Sequence, residues 1–230
     1  LQKTVMIFDL NRSDEFPDPR FGHSSGFYAV GGDLSPERLI KAYPMGIFPY
    51  FAFRQKPIIW WAPQERFVIY ADEIHVSHSM RNLLNKGTYE CTINEDFEGA
   101  IEGCALADGR MGEEFAWLGP ELMDAWCELN RRGFAKSVEV WNKADELVGG
   151  LYGFVSGGVF IGESMFSLEP SASKLALIHL ARHMQKNGGI FIDCQLKTNH
   201  LESMGARFIS YDEYLDKTLN SAAICWDSKY

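Results

Sequence analysis

The sequence predicts an α+β fold, with a small N-terminal part and a larger C-terminal one. Three observations carry that expectation. Between residues 135 and 166, three apolar segments follow one another with only short turns between them, the pattern of an antiparallel meander. A long amphipathic stretch over residues 171–185 then runs into a short apolar segment at 190–194, so helix and strand follow the meander rather than alternate with it throughout. The aromatic-rich tract 46–62 ends at Trp60-Trp61-Ala62-Pro63, which places a boundary between residues 1–63 and 64–230.

Each element has its own local signal. Residues 1–11 read as a short apolar strand, and 12–35 as loops rich in Pro, Gly, Asp and Ser. Ser35-Pro36 opens a helix, with Ser as N-cap and Pro at the first helical position; Leu39, Ile40 and Tyr43 follow at helical spacing, and Pro44 and Gly46 end it. Residues 66–71 read as a strand, and 79–85 and 95–105 as helices. Residues 120–132 form a clearer helix, because Leu122, Ala125, Trp126 and Leu129 share a face and Gly133 follows as C-cap. Strands over 135–141 and 146–155 flank the polar turn 142–145, and Gly157-Gly158 turns into a third strand over 159–166. Ser171 is expected to cap the long helix, which stops at Asn187-Gly188-Gly189. Ser210-Tyr211-Asp212-Glu213 reads as a capping box for a last helix.

Composition narrows the function classes. The 230 residues are 46% apolar, enough for an ordinary core. With 22 basic and 31 acidic side chains the net charge is −9, so nucleic acid is expected to be held by a small contact and not wrapped. The five cysteines, Cys91, Cys104, Cys127, Cys194 and Cys225, form no C-x-x-C pair, which argues against a zinc site or a disulfide framework. The start shows no basic n-region with a cleavage site, and no run of about 18 apolar residues occurs, so a cytoplasmic protein without a membrane span is expected. The glycines between Gly149 and Gly162 sit in a strand-turn-strand context, which disfavours a nucleotide loop. His179 and His183 are spaced i, i+4 but lack an H-E-x-x-H pattern, so they read as surface or packing groups and no metal is expected.

Two segments stand out chemically. In Asp193-Cys194-Gln195, strand alternation would point Asp193 and Gln195 one way and Cys194 the other. The two polar groups either mark a cleft edge or satisfy loop backbone donors. Cys194 reads as a small buried apolar residue. Glu163 lies in an otherwise apolar strand, where an unpaired carboxylate is costly to bury. It pairs with an internal base such as Lys174 or awaits a cationic substrate; the residues leave both open. For Phe160 and Glu163 to line one site, the strand must bulge near Gly162. Tyr50, Trp60, Trp61 and Trp117 are candidates for base stacking, and Arg81, Lys86, Arg131 and Arg132 for phosphate contacts, although such residues more often serve as core and solvated surface.

Longer blocks carry a resemblance. Gly31-Gly32-Asp33-Leu34-Ser35-Pro36, Gly46-Ile47-Phe48-Pro49, Trp60-Trp61-Ala62-Pro63, Ser137-Val138-Glu139-Val140-Trp141, Leu147-Val148-Gly149-Gly150-Leu151-Tyr152-Gly153, Gly162-Glu163-Ser164-Met165-Phe166-Ser167, Ala172-Ser173-Lys174 and Ile192-Asp193-Cys194-Gln195 occur in one order over nearly the whole chain. Together they resemble the bacterial leucyl/phenylalanyl-tRNA–protein transferases. The chain departs from that pattern at Ala116, Trp126 and Lys136, where the family commonly has Thr, Tyr and His.

The resemblance implies a small N-terminal domain and a GNAT-like acyltransferase domain. It implies an enzyme that moves Leu or Phe, and Met less well, from tRNA to the α-amino group of proteins beginning with Arg or Lys, tagging them for N-degron degradation. It implies no cofactor, and a monomer is expected. By position, Asp193 and Gln195 would orient the attacking amine and Glu163 would face the acceptor. Leu151, Phe160, Leu180 and Ile192 would wall the donor side-chain pocket, and Tyr50 and Trp117 would hold the terminal adenosine. Two readings compete: an N-acyltransferase using acyl-CoA or another aminoacyl-tRNA, such as a peptidoglycan-bridge enzyme, and a non-enzymatic module that recognises basic N-termini. The absence of a pyrophosphate loop before the 171–185 helix argues against acyl-CoA.

Overall fold

The computed structural model describes residues 6–13, 15–107 and 116–226. Its strands are β1 (Phe8–Asp9), β2 (Phe27–Val30), β3 (Phe48–Pro49), β4 (Ile59–Trp61), β5 (Glu65–Tyr70), β6 (Glu90–Ile93), β7 (Ala135–Trp141), β8 (Leu147–Ser156), β9 (Val159–Ser167), β10 (Phe191–Asp193) and β11 (Arg207–Ser210). Its α-helices are α1 (Pro36–Ala42), α2 (His78–Lys86), α3 (Phe97–Ala107), α4 (Pro120–Arg131), α5 (Ala172–Lys186), α6 (Asn199–Ser203) and α7 (Tyr211–Asn220). The first four strands form one sheet, β1-β2-β4-β3, and the others a second, β11-β5-β10-β9-β8-β7-β6. The second sheet is antiparallel except where β10 runs parallel to β9.

The larger sheet is covered on both faces, as alternation along β9 requires. Phe160 packs with α5, Met80 of α2 and Leu201 of α6. Ile161 points the other way, into a core shared by α3, α4, α7 and the N-terminal sheet. The N-terminal residues Tyr43, Phe48 and Trp60 are therefore buried in the same core as Tyr152 and Phe154 of β8.

Local signals account for most boundaries. Ser35 Oγ accepts the Arg38 N–H, and Gly46 ends the α1 region in the left-handed conformation at φ 70°. Gly133, just past α4, has φ 84°, which glycine adopts at little cost. Ser210 Oγ caps α7 at the Glu213 N–H, 3.2 Å away. The reciprocal half of that capping box is not used, because the Glu213 carboxylate accepts the Tyr70 hydroxyl instead. Ser171 does not cap α5 with its side chain; it sits in the left-handed region at φ 70°. Several short elements were not expected: β2, β4, β6, β11 and α6 lie in stretches too short or too polar to show a period.

Candidate active site

The site begins where β10 stops. Its three residues pair with β9, Ile192 opposite Phe160 and Asp193 opposite Ile161. The chain then turns sharply, with Gln195 in the left-handed conformation at φ 58° and the Leu196 N–H bonded to the Cys194 carbonyl at 2.6 Å. β9 continues past this point without that partner, and the chain that turned away leads into α6 through Thr198, its N-cap. A cavity of about 370 Å³ opens there. Leu151, Phe160, Met165, Leu177, Ile192 and Leu201 supply apolar walls, and Glu163, Ser164, Asp193, Gln195, Thr198 and His200 are its polar lining.

Glu163 reaches the same cavity as Phe160 by the bulge expected near Gly162. Tyr152 pairs with Ser164 and Gly153 with Gly162, which leaves Glu163 as the extra residue. Gly153 is required opposite the bulge, because a Cβ there would stand 2.2 Å from the Ile161 carbonyl and 2.7 Å from the Phe160 ring. One Glu163 carboxylate oxygen accepts the Tyr43 hydroxyl at 2.7 Å and the Gln195 carboxamide N–H at 3.1 Å. Of the alternatives open at Glu163, pairing with Lys174 is therefore not what the structure contains. Burial pushes the Glu163 pKa up to about 7, and the neighbouring Asp193 adds to the rise against the opposing pull of the two hydrogen bonds.

Asp193 is fully buried beside Arg66, also fully buried, and one carboxylate oxygen takes the Arg66 guanidinium. Arg66 also donates to the Gly46 carbonyl at 2.9 Å and lies over the Tyr214 ring, 4.7 Å from its centroid. The other Asp193 oxygen accepts the backbone N–H of Gln195 at 2.9 Å. Asp193 thus fixes the turn that aims Gln195, while the Gln195 carboxamide turns to Glu163. This differs from strand alternation, because the strand has ended before Gln195. It also places Cys194 against the cavity with its neighbours. Burial pushes the Cys194 thiol well above its ordinary pKa, which keeps it a poor nucleophile.

Leu180 is a correction. It is fully buried among the residues between α5 and the sheet and does not line the cavity; Leu177, one turn earlier on α5, forms that wall. A second hollow of about 300 Å³ shares Glu163, Cys194, Gln195 and Thr198 with the first and extends to Tyr50 and Trp117. Those two rings stand 6.4 Å apart at 48°, with Tyr50 about half exposed (49%). The basic candidates lie elsewhere. Arg131 pairs with Glu128, and Arg132 with both Glu128 and Glu37, so each guanidinium already has a carboxylate. Arg81 and Lys86 lie on α2, with no ion pair among the described residues.

Tyr43 and Arg66 were not foreseen as site residues. Tyr43 reads in sequence as one apolar position of a helix. Arg66 did carry a signal of the same kind as Glu163, since it opens the apolar run Phe67-Val68-Ile69 that a lone charge enters only with a partner.

Comparison with known proteins converges on one family. Residues 68–219 match the family model described as leucyl/phenylalanyl-tRNA protein transferase, and residues 32–64 match that of its N-terminal domain. The chain is 47% identical over 196 residues to the leucyl/phenylalanyl-tRNA–protein transferase of Pseudomonas fluorescens (strain Pf0-1), covering 84% of this chain and 83% of that one. It is 42% identical over 221 residues to that of Psychromonas ingrahamii, covering 93% and 91%. With that of Flavobacterium johnsoniae it shares 46% identity over 200 residues, covering 87% and 93%.

Proposed function

Because the chain belongs to the leucyl/phenylalanyl-tRNA–protein transferase family, we propose that it moves Leu or Phe, and Met less well, from tRNA to the α-amino group of proteins that begin with Arg or Lys. The product is a protein tagged for N-degron degradation. The observation that carries this reading is the joined cleft: a largely apolar cavity, the Tyr50–Trp117 aromatic pair beside it, and Glu163 and Gln195 where the two hollows meet.

In this reading the donor side chain enters the cavity between Leu151, Phe160, Leu177 and Ile192, and Tyr50 and Trp117 hold the terminal adenosine. The ester carbonyl then lies near Gln195. The acceptor amine attacks that carbonyl directly; the C–N bond forms as the ester C–O bond breaks, and the ribose hydroxyl leaves with a proton. The donor is already activated, and an α-amine with a reference pKa of about 7.7–8.0 is partly neutral at pH 7. A general base adds at most ~10²–10⁴-fold, whereas holding the two reactants in register contributes roughly 7–11 kcal/mol. Positioning is therefore the main effect. Gln195 orients the amine, ionised Glu163 attracts the acceptor's cationic end, and Asp193 and Tyr43 hold those two side chains in place.

We place the boundary between the N-terminal and catalytic domains at residue 63, a reading supported by the first sheet ending at Trp61 and the second starting at Glu65. We also place the enzyme in the cytoplasm as a monomer. Among the described residues, no helix is long and apolar enough to cross a membrane. The direct test incubates the protein with labelled Leu-tRNA and a peptide beginning with Arg, beside the same peptide blocked at its α-amine. Label must pass to the free peptide alone. Transfer to neither peptide, or to both, overturns the proposed reaction.

A further inference from the structure

The C-terminal segment beyond α7 follows an unusual path. Ser156 Oγ holds the Thr218 carbonyl at 2.9 Å, and Ser221 Oγ accepts the Gly158 N–H at 2.9 Å. The chain passes directly over the β8–β9 turn, where a Cβ on Gly157 would lie 2.4 Å from Ser221 Oγ. Glycine is needed at this turn for the segment as well as for the φ of 56°. Residues 221–226 then reach the C-terminal end of α5. The His183 Nε2–H donates to the Cys225 carbonyl at 3.0 Å, and the His183 ring stacks on Trp226 with centroids 5.4 Å apart at 26°. Ile224 and Trp226 pack against the core on the α5 side of the sheet.

Trp226 meets a cavity wall. Its ring lies 5.8 Å from that of Phe160, which lines the apolar cavity and is itself fully buried. Phe160 is thus held between Gly153, which has no side chain to push it, and Trp226, which blocks its retreat.

We propose that residues 221–226 form a specificity strap, in which Trp226, steadied by His183, braces Phe160 and so sets the size of donor side chain the cavity accepts. The inference rests on the reading of Phe160 as a donor-pocket wall. Trp226 does not line the cavity, so it is a positioning residue that acts through Phe160. Close packing transmits a lost contact to the next side chain, because a wall without backing relaxes into the space left behind. A looser wall favours the bulkier donor.

The test measures kcat/KM for Leu-tRNA and Phe-tRNA with one Arg-initiated peptide, alongside thermal unfolding. Trp226→Ala should raise the Phe-over-Leu ratio by ~10-fold, the scale on which an apolar pocket discriminates by size. Trp226→Phe keeps an aromatic brace and should keep the wild-type ratio. His183→Ala removes the stacked ring and the bond to Cys225 and should shift the ratio in the same direction by less; it carries the test should Trp226→Ala fail to fold. A purely structural role would lower the melting temperature and both rates together and leave the ratio alone. An unchanged ratio in the folded variants, with Phe160→Leu changing it, overturns the strap. An unchanged ratio in Phe160→Leu overturns the wall assignment on which the strap depends.

Discussion

Replacing Glu163 by Gln removes a charge from the site while keeping its shape. In the wild-type protein the Tyr43 hydroxyl and the Gln195 amide both donate to one Glu163 oxygen, and an amide oxygen at that place can accept both. A hydrogen bond to a charged partner is worth about 1.5–3 kcal/mol, so KM for an Arg-initiated peptide should rise ~10–100-fold. Donor KM should stay nearly constant, because the side chains proposed to hold the donor, Leu151, Phe160, Leu177 and Ile192, carry no charge. The pH profile gives a second readout. With its pKa pushed up to about 7, Glu163 ionises as the pH passes through neutrality, and the acceptor amine loses its proton about a unit higher. Wild-type kcat/KM for the acceptor should climb through both steps, and Glu163→Gln through the second only.

Stability should move the other way. The folded carboxyl titrates near 7 and the unfolded one near 4.5, so the folded state binds the extra proton between those values. The favourable contribution of the protonated carboxyl is complete below about pH 4.5 and is lost as the pH rises to 7. Relative to wild type, Glu163→Gln should therefore gain up to about 3 kcal/mol across that window, measured by urea unfolding at both ends. Initial rates at saturating donor, with peptide varied across the pH range, decide the functional claim. A Glu163→Gln enzyme with wild-type acceptor KM and both limbs of the pH profile would refute the reasoning.

Asp193→Ala should cost about 3–5 kcal/mol of stability, since it strands the buried Arg66 charge, whereas Asp193→Asn should cost less; chemical unfolding distinguishes them. In single-turnover assays, folded Asp193→Asn should lose transfer rate more than donor affinity, because the turn that aims Gln195 is weakened. Cys194→Ala should transfer at close to the wild-type rate, and loss of turnover with an intact fold would sink direct attack by the amine. Trp117→Ala should weaken donor binding by ~1–3 kcal/mol, read in a tRNA titration, without changing its salt dependence. That dependence should itself be shallow, since few phosphate contacts are proposed; a steep slope would reveal a basic track.

Much of the fold could be read from the chain before its structure, and the reason is periodicity. The meander, α4, α5 and the capped starts of α1 and α7 are long or chemically marked enough to declare themselves. The family blocks pointed to the same cleft residues, and the cost of an isolated carboxylate in an apolar strand singled out Glu163; for Glu163 to share a site with Phe160, alternation called for the bulge that the register shift contains. The short strands β2, β4, β6 and β11 offered no such signal, and the alternation argument failed at Gln195 because β10 ends two residues sooner.

The sequence by itself determined which chemical groups had to find partners: the lone Glu163, the polar ends of Asp193-Cys194-Gln195, the rings of Tyr50 and Trp117. Only the tertiary structure decided who those partners are. Tyr43 comes to Glu163 across 120 positions of chain and Arg66 to Asp193 across 127. Leu177 rather than Leu180 lines the cavity, and Trp226 comes to rest against Phe160. A buried polar group's need for a partner is a local cost, legible in its neighbours along the chain. The identity of the partner depends on how sheet, helices and terminal segment pack together, and no local pattern encodes that.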